Sequence, residues 1–316
     1  MSLTSELDDR NSAVSRFLRA RFPHVRDLQR RYREPVAEAA PLAPRNGAAV
    51  AWGTVGGAFD WRMRYLLTPA PDLHLALLGA LRLGERFQHL TAELFAAVDG
   101  TVRLPPGEPV PLAPADTPGP GLDDERLARA SYALALYTEV FRAGLLPGSR
   151  LLTLRRGAGL EDLLGLASAE EVADLLALTE AARRVLLPAL AARGGPLHLG
   201  PTFAGSLDVG GADADAITGG LLVDWKVNLG DRRRDGRRRC SLDLATLQQL
   251  LGYLLLDYQD AYAIDALGVY AARYAYLATW PVAELLAELA GGPVDLAEVR
   301  ADFQQAAATT IRRDAR

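Results

Sequence analysis

The chain has 316 residues, with 35 basic side chains against 39 acidic ones, four His and a formal charge of −4. At 49% hydrophobic and 23% charged it is too apolar for a disordered chain and long enough to bury a real core, in one large or two modest domains. Cys240 as the only cysteine excludes an internal disulfide and a cysteine-held iron–sulfur cluster or zinc ribbon; no run of about 18 apolar residues predicts a membrane span, and the polar start MSLTSELDDRNS does not read as a signal peptide, so a cytoplasmic protein is expected.

Residues 10–34 read as an Arg-rich amphipathic helix interrupted at Pro23. Seven Arg lie in 16–33: Arg16, Arg19, Arg21, Arg26, Arg30, Arg31 and Arg33. Residues 35–47, with Pro35, Pro41, Pro44 and Gly47, read as a loop. A helix is expected from Gly57 to Leu67, after the glycines of AWGTVGGAFDW. Residues 72–99 have helical periodicity through Leu73, Leu77, Leu81, Leu90 and Leu94. The seven prolines between Pro105 and Pro120 make 101–122 an extended loop. Helices follow at 123–144 and 168–193, the second opening on a Ser168/Glu171 capping box.

The pattern then changes. Residues 196–208, 211–217 and 221–228 read as three strands, the last two joined by a Thr218-Gly219-Gly220 hairpin. DRRRDGRRR (231–239) reads as a solvated loop, and SLDLATLQQLLGYLLLDYQ as a helix capped by Ser241 or Asp243. IDALGVYAARYAYLATW reads as two strands around Ala271–Tyr274, with helices at 281–290 and 294–313. The expected fold is α+β: a small mixed sheet flanked by helices, with a large N-terminal helical portion. The expected divisions are an N-terminal arm (1–47), a helical region (48–195) packed on the core, and a sheet-bearing core with C-terminal helices (196–316).

Of the 35 basic residues, 34 are Arg and one, Lys226, is Lys. A compositional bias that replaces Lys by Arg makes the surviving Lys a place to look. Strand period puts Asp213, Asp215 and Ile217 on one face, and Asp224 and Lys226 on one face of the next strand. The hairpin sets the strands side by side, so carboxylates and an ammonium converge. Such hard oxygen ligands suit Mg²⁺ or Mn²⁺. A lysine there can orient or activate a water, or steady phosphate charge, whereas Arg stays protonated and planar.

Asp215 and then Asp224-Trp225-Lys226 across a glycine hairpin resemble the PD-(D/E)XK nuclease superfamily, and more narrowly its RecB-type exonuclease branch. The resemblance covers about 196–292. It extends to Gln249 and Tyr253, four apart on the following helix, and to Arg273 between the next strands. GTVGGAFDW resembles more loosely the helix that opens such cores, with Asp60 as its polar group. Ala214 stands where the motif often has proline, and no ATP-binding GxxxxGK[ST] is present.

The resemblance implies a restriction-endonuclease-like core and a metal-dependent deoxyribonuclease of repair, recombination or anti-phage defence. Asp215, Asp224 and the Trp225 carbonyl would hold Mg²⁺ or Mn²⁺, with Lys226, Gln249 and Tyr253 completing the catalytic set. Asp213, Asp60 and His198 are further candidates. Arg232, Arg233, Arg234, Arg237, Arg238 and Arg239 would hold phosphates of the DNA partner. Any ATP-driven movement would come from a separate helicase, ATPase or defence-system subunit. Two other readings stay open: a DNA-binding or assembly subunit that is inactive without a partner, and a helical scaffold whose acidic hairpin is incidental.

Overall fold

One short sheet with two apolar faces organises the chain. The computed structural model describes residues 2–44, 50–103, 108–113 and 121–314. Three short helices come first: α1 (Leu3–Asp8), α2 (Ala13–Arg21) and α3 (Arg26–Arg33). Pro23 lies in the break between α2 and α3. Next come α4 (Trp52–Leu67), α5 (His74–Leu83) and α6 (Gln88–Ala97). The long helices α7 (Asp124–Ala143) and α9 (Ala169–Arg193) flank the short α8 (Leu160–Leu164). Ser168 and Glu171 form the capping box that opens α9.

Strands β1 (Leu197–Leu199), β2 (Ala216–Thr218) and β3 (Leu221–Lys226) follow. A two-stranded ribbon, β4 (Asp231–Arg232) with β5 (Arg238–Arg239), precedes α10 (Leu244–Leu256). Strands β6 (Ala266–Ala271) and β7 (Tyr276–Pro281) then lead to α11 (Val282–Ala290) and α12 (Leu296–Asp314). The main sheet has the order β1-β2-β3-β6-β7, parallel only between β3 and β6, so the protein is mixed α+β.

Several boundaries differ from expectation. Helix α4 starts at Trp52, five residues before Gly57, and carries Gly53, Gly56 and Gly57 inside it. Its buried residues, Val55, Ala58, Phe59 and Trp61 among them, outweigh the poor helix propensity of glycine. Residues 72–99 divide into two helices at Gly84, whose φ is +75°. The expected first and second strands shrink to three residues each, and between them 206–209 wind into a 3₁₀ turn. The arginine segment is a ribbon turned at 233–236 and not an irregular loop: Arg233 N donates to Arg237 O and Gly236 N to Arg233 O. The glycine hairpin stands as read: Gly219 and Gly220 both have positive φ (49° and 77°), the geometry of a two-residue turn that matches strand twist. Of the two proline loops, residues 45–49, 104–107 and 114–120 lie outside the described residues. Val110 bridges to Leu197, laying part of the second loop along β1.

Strand alternation divides the core in two. Ala216, Leu221, Val223, Trp225 and Tyr270 face α4–α9. Ile217, Leu222, Leu267, Val269 and Ala271 face α10–α12. Helices α1–α3 belong to this second layer: Leu3, Leu7, Val14, Leu18, Leu28 and Tyr32 are buried against it. Arg16, Arg26, Arg30 and Arg31 stay on the outside, and Arg31 pairs with Glu288 of α11.

Arg273, in the turn between β6 and β7, ties both layers and the N-terminal segment together. It is fully buried. Its guanidinium donates to both Asp174 oxygens of α9 (2.9 and 2.7 Å), to Val227 O just after β3 (2.8 Å) and to Leu42 O (2.8 Å). Removing one partner of a buried pair strands the other charge, at about 3–5 kcal/mol. R273A should lose about that much in urea denaturation, and the double variant R273M/D174L should recover most of it. Equal losses in the single and double variants would contradict this account.

Candidate active site on the β2–β3 hairpin

Ile217 and Leu222 face the α10 side of the sheet, so period two sends Asp224 and Lys226 the same way. Asp215 lies one residue before β2 and crosses to β3, its Oδ2 accepting from Trp225 N at 2.7 Å. Asp224 is buried, and Lys226 Nζ lies 2.7 Å from its Oδ2 as an ion pair. Lys226 is thus the partner of that buried oxygen. Lys226 Nζ also donates to Gln249 Oε1 at 2.7 Å, and Gln249 Nε2 donates to Tyr253 Oη at 2.9 Å. Gln249 and Tyr253 share a face of α10 because they are one turn apart. Asp215, Asp224, Lys226, Gln249 and Tyr253 therefore form one connected cluster. Phe203 stacks on the Tyr253 ring, with centroids 5.7 Å apart, and fixes its far end.

Burial and crowding of like charge set the electrostatics. Burial first, then Asp224 and Asp60, push the Asp215 carboxyl well above the usual carboxylate range. Burial raises Asp224 too, against the pull of Lys226. For Lys226, burial works against the ammonium, but Asp224 and Asp215 outweigh it and hold its pKa above the ordinary lysine value. Burial and the same carboxylates push the Tyr253 phenol up, keeping it neutral.

The remaining candidates fall at the edge. Asp60 of α4 is near enough to act on both carboxylates; its Oδ2 accepts from Arg64 Nε (2.9 Å), and its Oδ1 is buried without a donor. Asp213 is held by Arg142 of α7 at 2.7 Å. His198, opposite Ile217 on β1, packs edge-on against Tyr262. Two residues escaped the sequence reading. Arg64 is buried beneath Gly200 and acted on by Asp60, Asp213 and Asp215. Asp243, whose side chain caps α10 by accepting from Thr246 N (2.6 Å), acts on Asp224 and Lys226. The four-residue spacing of Asp60 and Arg64 on one helix was the available signal for Arg64.

Among the described residues, no three His, Cys, Asp or Glu side chains are grouped to hold a metal ion by themselves. The donor set still fits Mg²⁺ or Mn²⁺: two adjacent carboxylates, with the buried Asp60 Oδ1 lacking a donor, leave the other positions to water and phosphate, as Mg²⁺ prefers.

A groove of about 640 Å³ opens beside the cluster, between the start of α4 and the arginine ribbon. Trp52, Gly53 and Gly56 form one wall, and residues 227–231 with Arg238 and Asp243 the other. A second depression, past Asp231, Ser241 and Asp243, leads to Arg26 and Arg33 of α3. On the ribbon, Arg239 pairs with Asp231, Arg233 with Asp235 and Arg237 with Glu38, each at 3.5–3.8 Å and exposed. Arg232 and Arg234 have no ion pair among the described residues.

Comparisons with family models, with curated proteins and with solved structures find no match for this chain.

A carboxyl whose folded pKa is raised keeps its proton in the native state after the unfolded state has lost it. Its contribution is therefore present below the ordinary carboxylate pKa of about 4 and is lost as pH rises through the folded pKa. Asn at 215 can still accept from Trp225 N without the charge. D215N should thus melt at or above the wild-type temperature at pH 7–8 without metal, with the difference vanishing near pH 4. It should also lose any Mg²⁺-induced rise in melting temperature. A lower metal-free melting temperature at pH 8 would overturn this assignment of cost to Asp215.

Proposed function

We propose that the chain is a metal-dependent nuclease of the PD-(D/E)XK kind, with a restriction-endonuclease-like core, hydrolysing DNA phosphodiester bonds. The observation that carries the reading is the connected cluster itself: Asp215 and Asp224 on adjoining strands, beside the only lysine of the chain, which is bonded to Gln249 and through it to Tyr253.

Asp215 and Asp224, with the Trp225 carbonyl, would hold Mg²⁺ or Mn²⁺. When bound, the ion supplies Lewis-acid charge for a phosphate oxygen and a more acidic water. Lys226 keeps its proton on Nζ, as Asp224 and Asp215 favour, and so orients a water and neutralises charge on the phosphate. Gln249 fixes the Nζ direction by accepting one of its protons. Tyr253, neutral and backed by Phe203, holds the Gln249 amide in the orientation that presents its oxygen to Lys226. The exposed arginines of the ribbon supply phosphate contacts along the groove.

A second reading rests on one observation. Lys226 lies on the same Asp224 oxygen that a metal would use, so the cluster as it stands is held by its own ion pair. That arrangement suits a DNA-binding or assembly subunit that is inactive until a partner reshapes it.

Purified protein with linear, circular and single-stranded DNA plus Mg²⁺ or Mn²⁺ separates the two readings. The nuclease reading expects metal-dependent cleavage that D224A abolishes and K226A lowers about 10²–10⁴-fold, with unchanged circular dichroism. K226R should fail as well, because a planar guanidinium cannot take the Nζ position. Binding without cleavage under either metal would favour the second reading. For either reading, R234A should weaken DNA binding uniformly across sequences and lower the log–log salt slope by about 1.

A further inference from the structure

The groove beside the cluster has features that phosphate binding does not explain. At its mouth, Trp52 is 47% exposed although it opens a helix whose other aromatic residues are buried. One face of its ring is backed by the Arg273 guanidinium, 5.0 Å from the ring centroid. Arg273 is itself immobilised by Asp174, Val227 O and Leu42 O, so the indole rests on a rigid cation. The floor next to it has no side chains: a Cβ built on Gly53 or Gly56 meets nothing within 4 Å. The facing wall holds acceptors, the carboxylates of Asp231 and Asp243 and the Ser241 hydroxyl, with Arg238 as its cation.

An exposed carboxylate pair repels phosphate but accepts hydrogen bonds from the amino and imino groups of a base. A flat ring with one free face stacks any base. The volume of about 640 Å³ is that of a pocket for one nucleoside-sized group, within the roughly 300–1,000 Å³ of small-molecule sites. The pocket adjoins the cluster: Val227 and Asn228 on its wall directly follow Lys226, and Asp243 lies near enough to act on Asp224 and Lys226. A base stacked on Trp52 must have left the stack of a duplex, because there its faces are covered by neighbouring bases.

We propose that the groove between Trp52, Gly56 and Asp243 is a pocket for one unpaired nucleobase of the strand whose adjoining phosphate lies at the Asp215–Asp224–Lys226 cluster. It rests on the nuclease reading for that phosphate, but base binding needs no cleavage. The pocket gives the protein a preference for single-stranded or frayed nucleic acid. Trp52 supplies the stacking face, the glycines give the sugar access, and the rim arginines hold flanking phosphates.

The test is fluorescence anisotropy without divalent metal, using a labelled single-stranded deoxyoligonucleotide and a blunt duplex of equal length. Wild type should bind the single strand more tightly. W52A should lose about 5- to 150-fold on the single strand, the range of one lost base stack, with little change on the duplex; W52F should retain most of the affinity. G56L fills the pocket floor one helical turn from the platform, and leucine favours helix over glycine. It should keep or raise the melting temperature and lose single-strand binding. Equal losses on both substrates, or single-strand binding untouched in both W52A and G56L, would overturn the pocket. Selective losses with no cleavage by wild type under Mg²⁺ or Mn²⁺ would retain the pocket and overturn the nuclease reading instead.

Discussion

Arg273 is the contact on which the arrangement depends. Four of its five N–H donors are satisfied by groups from three distant parts of the chain: Asp174 on α9, Val227 beyond β3 and Leu42 after α3. The charge is fully buried, so it is tolerable only with those partners present. That requirement makes the turn after β6, the end of β3 and the long helix α9 adopt one mutual geometry. The same guanidinium supports Trp52, so the rigidity of the core is passed to the mouth of the groove.

The cluster on the hairpin has the opposite character. Arg273 is balanced, whereas Asp215 and Asp224 are buried together with Asp60 nearby, and Lys226 and Arg64 offset them only in part. Two carboxyls held above their ordinary range destabilise the native state at neutral pH. A protein keeps such a cluster where a cation or a developing charge repays the cost, which is why strongly shifted groups gather at functional sites. The bond from Lys226 to Gln249 also shows why arginine would not serve there. Nζ meets Asp224 Oδ2 and Gln249 Oε1 at 2.7 Å each, a convergence on one atom that a flat fork cannot copy.

Much of this was legible locally. The glycine hairpin, the capping box of α9, the spacing of Gln249 and Tyr253, and the parity that puts Asp224 and Lys226 on one face are all short-range patterns. What was not legible came from contacts between distant segments. Glycines 53, 56 and 57 suggested a helix beginning after them, yet packing of Val55 and Ala58 carries α4 through them. The arginine segment read as solvated loop, because charge predicts exposure and says nothing about the Asp231–Arg239 register that pairs β4 with β5. Asp213 had the right parity to join Asp215 but is claimed by Arg142, seventy-one positions away.

The sequence alone therefore determined the mixed helix-and-sheet composition, the hairpin with its alternating faces, and the one lysine as the residue to examine. Those follow from periods of two and 3.6 and from residue chemistry, which act within a few positions. Only the tertiary structure decided that the N-terminal helices pack on the α10 side of the sheet, that Arg64 and Asp243 stand beside the carboxylates, and that Trp52 is held half-open over a glycine floor. These depend on burial and on ion pairs between segments far apart in the chain, and no local pattern encodes which buried charge will find which partner.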